Sequence, residues 1–201
     1  MNLSHATIST PYLHILPYEE SHIAELTKTG ASPEIWANWA KTIDGSEKSL
    51  REYFDDLLEL NANGEWLVHS IFLPSGEAIG QSCYMNIRSS HFGVEIGATW
   101  YGTKFQAGFV NPLVKLILLN HAFENGAKRV ELKTDILNLR SRAAIAKLGA
   151  KYEGIFRKHM KRPDGTMRDT VYFAIIDDDW AEVKQRLIKR LDDLGITNIG
   201  F

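Results

Sequence analysis

The stretch NPLVKLILLNHAFENG, residues 111 to 126, is apolar around nearly its whole circumference. A helix without a polar face must be covered on every side, so the chain has to fold a sheet and further helices around this segment. It follows the strand-like VEIGATWY after only a short polar stretch that ends in QAGFVN. A helix beginning so soon after a strand leaves its first backbone N–H groups unpaired at the positive end of its dipole, which suits a phosphate-bearing ligand.

The elements on either side supply that cover. YLHIL (12 to 16) reads as a strand, EESHIAELTKTG as a short amphipathic helix ending at Gly30, and Ser32-Pro33 as the start of a second helical piece. A helix stripe runs through SEKSLREYFDDLLELNANG, residues 46 to 64. WLVHSIFL, AIGQSCYMNI and FGVEIGATWY form an antiparallel meander, and KRVELKTDI a strand. NLRSRAAIAKLG is a helix, the two segments around the turn RPDG a hairpin, and DDDWAEVKQRLIKRLDDLG a terminal helix with acidic residues at its positive end. With 201 residues and 44% hydrophobic content, and no repeat or linker, the expectation is a single domain over residues 1–201. Its core covers about residues 10–190, and 196–201 is a short tail.

Several function classes are disfavoured. A net charge of −2 gives no general basic footprint for nucleic acid. No apolar run approaches the roughly 18 residues of a membrane span, and Cys83 is the single cysteine, so a cytoplasmic protein is expected. Seven histidines without paired spacing indicate no metal site. The Asp177–Asp179 run is what a helix start favours.

The order of meander, VEIGATWY, polar turn, buried helix, VELKTD and NLRSRAAIAKLGAKYEGIFRKH resembles the GNAT superfamily of N-acetyltransferases, specifically its RimJ/RimL branch of ribosomal-protein N-terminal acetyltransferases. The most specific part is TDILNLRSRAAIAKLGAKYEGIFRKHMKRPDGTMRDTVYFAIIDDDW. The resemblance implies a mixed α/β (α+β) three-layer fold. Its twisted, mostly antiparallel sheet has about seven strands, is flanked by helices and is splayed between the fourth and fifth strands.

It also implies acetyl-CoA as co-substrate, no metal, and a primary amine as acceptor, either a protein N-terminus or a small molecule. A homodimer is compatible with it. The pyrophosphate would lie on Gln106, Ala107, Gly108, Phe109, Val110 and Asn111. Phe109 and Asn111 stand where the family has small residues, and Pro112 has no N–H to offer. That departure motivates a second reading, a catalytically silent coenzyme A-binding or regulatory protein on the same scaffold. Backbone of Ile96, Gly97, Ala98, Thr99 and Trp100 would hold the pantetheine, and Asn138 would touch it, with Ser141 near the sulfur as the acid.

Glu95 is the candidate base, a carboxylate in an otherwise apolar strand. Its alternative is an ion pair with Arg88 or with a neighbouring strand's lysine. For Asn138 and Ser141 the alternative is an ordinary capped helix start. Trp36, Trp39 and Tyr84 are placed on the acceptor side, with core packing as the alternative for the two tryptophans.

Overall fold

A computed structural model describes residues 1–200 of the chain. The strands are β1 (Ile8–Ser9), β2 (His14–Pro17), β3 (Leu67–Phe72), β4 (Ala78–Arg88), β5 (Gly93–Tyr101), β6 (Arg129–Asp135), β7 (Lys151–Lys161) and β8 (Met167–Ile176). The helices are α1 (Ile23–Gly30), α2 (Glu47–Ala62), α3 (Val110–Glu124), α4 (Leu139–Lys147) and α5 (Asp177–Asp192). All eight strands join one sheet in the order β1-β2-β3-β4-β5-β6-β8-β7. The strand beyond the expected seven is β1, whose two residues pair with β2 and are too short to leave a period in the sequence. Among the described residues no helix is long and apolar enough to cross a membrane.

The sheet separates two apolar clusters. One joins α3, α4 and α5 to Val94 and Ile96 of β5, Val130 and Leu132 of β6, and Val171, Phe173 and Ile175 of β8. The other joins α1 and α2 to Val68, Cys83, Trp36 and Trp100, and it contains no residue of β6, β7 or β8. One face of the β6-β8-β7 end is therefore without helical cover. Helix α3 is buried along most of its length, as its apolar circumference requires. The segment after Ser32 is shorter than expected: Pro33–Trp36 makes only a 3-10 turn, and the Ser32 side chain caps nothing. Residues Ile196 and Ile199 of the tail are buried on the chain's own core, and Thr197 exchanges hydrogen bonds with the Tyr12 hydroxyl.

All pairing is antiparallel except between β5 and β6. That parallel contact lasts only from Gly93↔Arg129 to Glu95↔Glu131. From Ile96 onward β5 stays with β4 on one edge, while β6 continues along β8. A bulge deepens the divergence. Cys83 pairs with Gly97 and Gln81 with Trp100, so Ser82 stands opposite both Ala98 and Thr99. Ala98 adopts a positive φ of 44°, a conformation that costs a residue with a Cβ about 1 kcal/mol or more.

The bulge turns Thr99 toward α3. There its Oγ1 lies 2.7 Å from Ser82 Oγ and accepts from Lys115 Nζ, also at 2.7 Å. Lys115 is 5% exposed, and among the described residues its partners are the Ser82 and Thr99 hydroxyls, with no carboxylate among them. Burial pushes its pKa down to about 7. The unfolded chain then holds this proton more tightly than the folded one. The lysine therefore costs stability in full below about pH 7, and the cost fades as pH rises to about 10. Lys115→Met should stabilise the fold by on the order of 3 kcal/mol near pH 6. Denaturation of both proteins from about pH 6 to about pH 10 should show the difference closing; a gap constant with pH would mean that no buried charge is lost.

Candidate active site

At the start of α3, Ala107 and Gly108 are exposed, Phe109 and Asn111 half-buried, and Val110 and Pro112 buried. No side chain caps this helix. Phe109 rests edge-on against Tyr12 with ring centroids 6.0 Å apart, and Asn111 Oδ1 accepts from the Tyr101 hydroxyl at 3.3 Å. The two residues that depart from the family pattern are thus both engaged by tyrosines of the chain's own fold. A Cβ added to Gly108 would meet no atom within 4 Å, so the approach there is open. Ala107 takes a positive φ of 64°. Gln106 fixes the loop by donating from Nε2 to the Tyr101 carbonyl at 2.9 Å and accepting from Arg140 Nη2 at 2.5 Å. Arg140 adds a cation beside an already positive helix end.

Glu95 stands at the fork, the last β5 residue paired with β6. Of the alternatives in the sequence, the neighbouring-strand lysine is the one realised: Lys133 Nζ lies 2.9 Å from Glu95 Oε2. The same oxygen accepts from Asn86 Nδ2 at 2.7 Å. Asn86 reaches it from a second irregularity in β4, with φ of 47°. With the carboxylate only 3% exposed, these two donors offset the cost of burying it. Among the described residues Oε1 accepts nothing, and it would lie 3.0 Å from a Cβ on Gly97. One carboxylate oxygen is thus anchored and the other is directed along β5 toward its unpaired stretch.

Asn138 caps α4, its Oδ1 accepting from the Ser141 backbone N–H at 2.9 Å. This is the ordinary helix start that the sequence allowed, and it leaves the amide NH2 outside the cap. Ser141 is half-buried in the first turn. Two further groups are quiet. Burial pushes the Cys83 thiol up to about 12, and burial likewise raises the Tyr101 phenol, so neither gives up a proton readily.

On the uncovered face, a cavity of about 360 Å³ runs between residues 33–43 and the turn joining β7 to β8. Trp36 and Trp39 both line it. Trp36 is also core: it is 3% exposed, donates from Nε1 to the Gly30 carbonyl at 2.7 Å, and meets Trp39, Tyr53 and Trp100. Trp100 is core as well, 3% exposed. Tyr84 needs correction. It is fully buried beneath α3, with its hydroxyl donating to the Leu118 carbonyl at 2.5 Å, and cannot meet an acceptor.

Sequence reasoning missed Asn86, Arg140, Lys115 and Arg168, and it offered a neighbouring-strand lysine for Glu95 without singling out Lys133. Lys133 alternates in step with Glu131 and Asp135 along β6, which was a usable signal; the role of Asn86 depends on a bulge that no period announces.

The GNAT acetyltransferase domain family matches residues 13–151. A candidate acetyltransferase from T. thermophilus superposes with a TM-score of 0.84 at 29% identity, covering 95% of this chain and 100% of that one. A GCN5-related N-acetyltransferase from Brucella melitensis gives 0.84 at 22% identity, covering 92% and 85%. RimJ of Mycobacterium smegmatis, solved in complex with CoA-disulfide, gives 0.73 at 21%, covering 89% and 88%. The latter two show the fold alone. No curated protein matches the sequence. The family match runs unbroken from the edge of β2 to the first residue of β7, across every element that forms the fork, and the chain belongs to the GNAT acetyltransferase family.

Proposed function

We propose that this N-acetyltransferase moves an acetyl group from acetyl-CoA to a primary amine by direct transfer in a ternary complex. The observation that carries this reading is the fork itself: an unpaired β5 edge, an uncapped helix end beside it, and a buried carboxylate where the strands part. The pyrophosphate sits against the amides around Gln106–Asn111, with Arg140 alongside. Main-chain groups of Ile96 to Trp100, which have no strand partner on the β6 side, hold the pantetheine arm. The Asn138 amide supports the same arm.

Glu95 then takes a proton from the incoming amine through a water near Oε1, because a protonated amine has no lone pair with which to attack the thioester carbonyl. Ser141 assists the thiolate as it leaves. Cys83 takes no part, since its thiol is buried and held protonated. The fold shared with M. smegmatis RimJ keeps a protein N-terminal α-amine within the acceptor class, as in the RimJ/RimL branch. The walled cavity beside Trp36 and Trp39 favours a small amine.

Glu95→Gln keeps the shape of the side chain and should lower kcat about 100-fold, while acetyl-CoA binds within about twofold of wild type. A mutant with unchanged kcat in steady-state assays would remove Glu95 from the chemistry.

Asn138→Ala removes a helix cap and should cost about 1 kcal/mol of stability. Asn138→Asp keeps the cap but loses the amide donor. Acetyl-CoA affinity, read by calorimetry, should fall about fivefold or more in both variants, and only the alanine variant should melt earlier. Unchanged affinity in the aspartate variant would leave Asn138 as a cap and nothing more.

A further inference from the structure

The cavity beside the two tryptophans carries more positive than negative side chains: Lys41, Lys161, Arg162 and Arg168 against Asp135 and Asp164. Most of these charges already serve the protein. Lys41 pairs with Asp56. Arg162 forks onto both oxygens of Asp135, at 2.7 and 2.9 Å. Asp164 accepts from the backbone and hydroxyl of Thr166, and Lys161 is exposed.

Arg168 stands apart from them. It is half-buried, and its Nε donates to Thr170 Oγ1 at 3.0 Å. Among the described residues, neither of its terminal nitrogens meets an acceptor and no carboxylate pairs with it. Burial lowers its pKa from the usual guanidinium value, yet a guanidinium stays charged. Strand β6 bridges the two places: Lys133 holds Glu95 at the fork, and Asp135, two residues on, holds Arg162 at the cavity rim, where its charge also acts on Arg168.

A guanidinium with its terminal nitrogens free, partly removed from water, matches a carboxylate through two parallel hydrogen bonds. Beside it, the half-buried Trp39, backed edge-on by the almost wholly buried Trp36, forms an apolar wall suited to a hydrocarbon or aromatic side chain. A simple amine would enter this cavity as an ammonium and meet an excess of positive charge, whereas a zwitterion brings its own compensation.

We infer that the acceptor is a free α-amino acid with an apolar side chain, its carboxylate on Arg168, its side chain against the wall made by Trp39, and its amine directed at Glu95. This rests on the proposed acetyl transfer. The step forms the N–C amide bond and breaks the C–S thioester bond. The zwitterion's ammonium loses two protons, one through Glu95 to solvent before attack and one that balances the proton gained by the departing thiolate, giving an N-acetylated acid and free coenzyme A.

The test is calorimetric titration of the full chain, with and without coenzyme A, using L-phenylalanine, L-phenylalaninamide and 2-phenylethylamine, and the matching leucine and methionine series. At least one acid should bind about tenfold or more tightly than its amide and its amine, and Arg168→Gln should erase that preference. The proposal is overturned if amide or amine binds as well as the acid, if no acid binds, or if Arg168→Gln keeps the preference. It is likewise overturned if a short peptide with a free N-terminus binds more tightly than every acid. Should the variant misfold, the wild-type comparison of acid with amide decides alone. Acetyl transfer is followed separately by thiol release: an acid that binds through Arg168 without being acetylated sinks the transfer reading and leaves the carboxylate site standing.

Discussion

Backbone N–H and C=O groups taken out of water have to be matched, and β5 meets that demand on its two edges in different ways. Toward β4 it is paired along most of its length, interrupted only at bulges. Toward β6 it is paired for three residues and then abandoned. A strand left half-paired in the middle of an eight-stranded sheet is unusual, because central strands ordinarily find partners on both sides. Here the separation is enforced from behind. Helix α3 packs its buried surface under β5, while β6 is drawn away by a seven-residue antiparallel ladder with β8. The open edge that results lies beside the first turn of α3, so unmatched strand amides and unmatched helix amides share one corner.

The electrostatics divide along the same sheet. On the α3 side, Lys115 is a buried cation whose partners are the hydroxyls of Ser82 and Thr99, at the bulge that separates β5 from ideal geometry. On the other side, Glu95 is a buried anion with a cation and an amide on one oxygen. Removing one member of a buried pair costs far more than an exposed pair contributes, so the Glu95–Lys133 contact stiffens the fork irrespective of any chemistry. The hydroxyl-solvated lysine is the weaker arrangement energetically, and it clamps the only part of β5 where a residue with a Cβ has been forced to positive φ.

Much of this was legible in the chain. The unbroken apolar circumference of residues 111 to 126 required a helix covered on all sides, and α3 is that helix, beginning one residue earlier at Val110. Glu95 drew notice because a carboxylate in an apolar strand needs a partner, and a neighbouring-strand lysine was one of the two the sequence offered. Tyr84 misled for a physical reason: a tyrosine on an alternating strand can lie on either face, and only the bulges in β4 and β5 decide which. Phe109 looked obstructive because side-chain direction at a helix start cannot be read from spacing, and Tyr12, nearly a hundred residues earlier, is what receives it. Arg168 was invisible for a related reason. An arginine in a hairpin strand is unremarkable until the acidic residues around it are seen to be committed elsewhere.

Strand β6 ties these parts together. Its odd and even positions face opposite ways, so Val130 and Leu132 enter the core while Glu131, Lys133 and Asp135 line the uncovered face. Lys133 reaches back to Glu95 at the fork, and Asp135 reaches forward to Arg162 at the cavity rim. Asp135 gives both oxygens to Arg162, so it acts on Arg168 of the neighbouring strand β8 through its charge and without a direct hydrogen bond. On the proposed reading, one alternating strand thus supports both the group that takes a proton, Glu95 on β5, and the group that takes an anion, Arg168 on β8. Glu95 and Arg168 are carried by the strands on either side of β6, so their separation is set by the sheet rather than by loops. An acceptor whose amine and anionic group fit that fixed spacing gains the rigidity at no conformational cost to the protein, and a longer, flexible one does not.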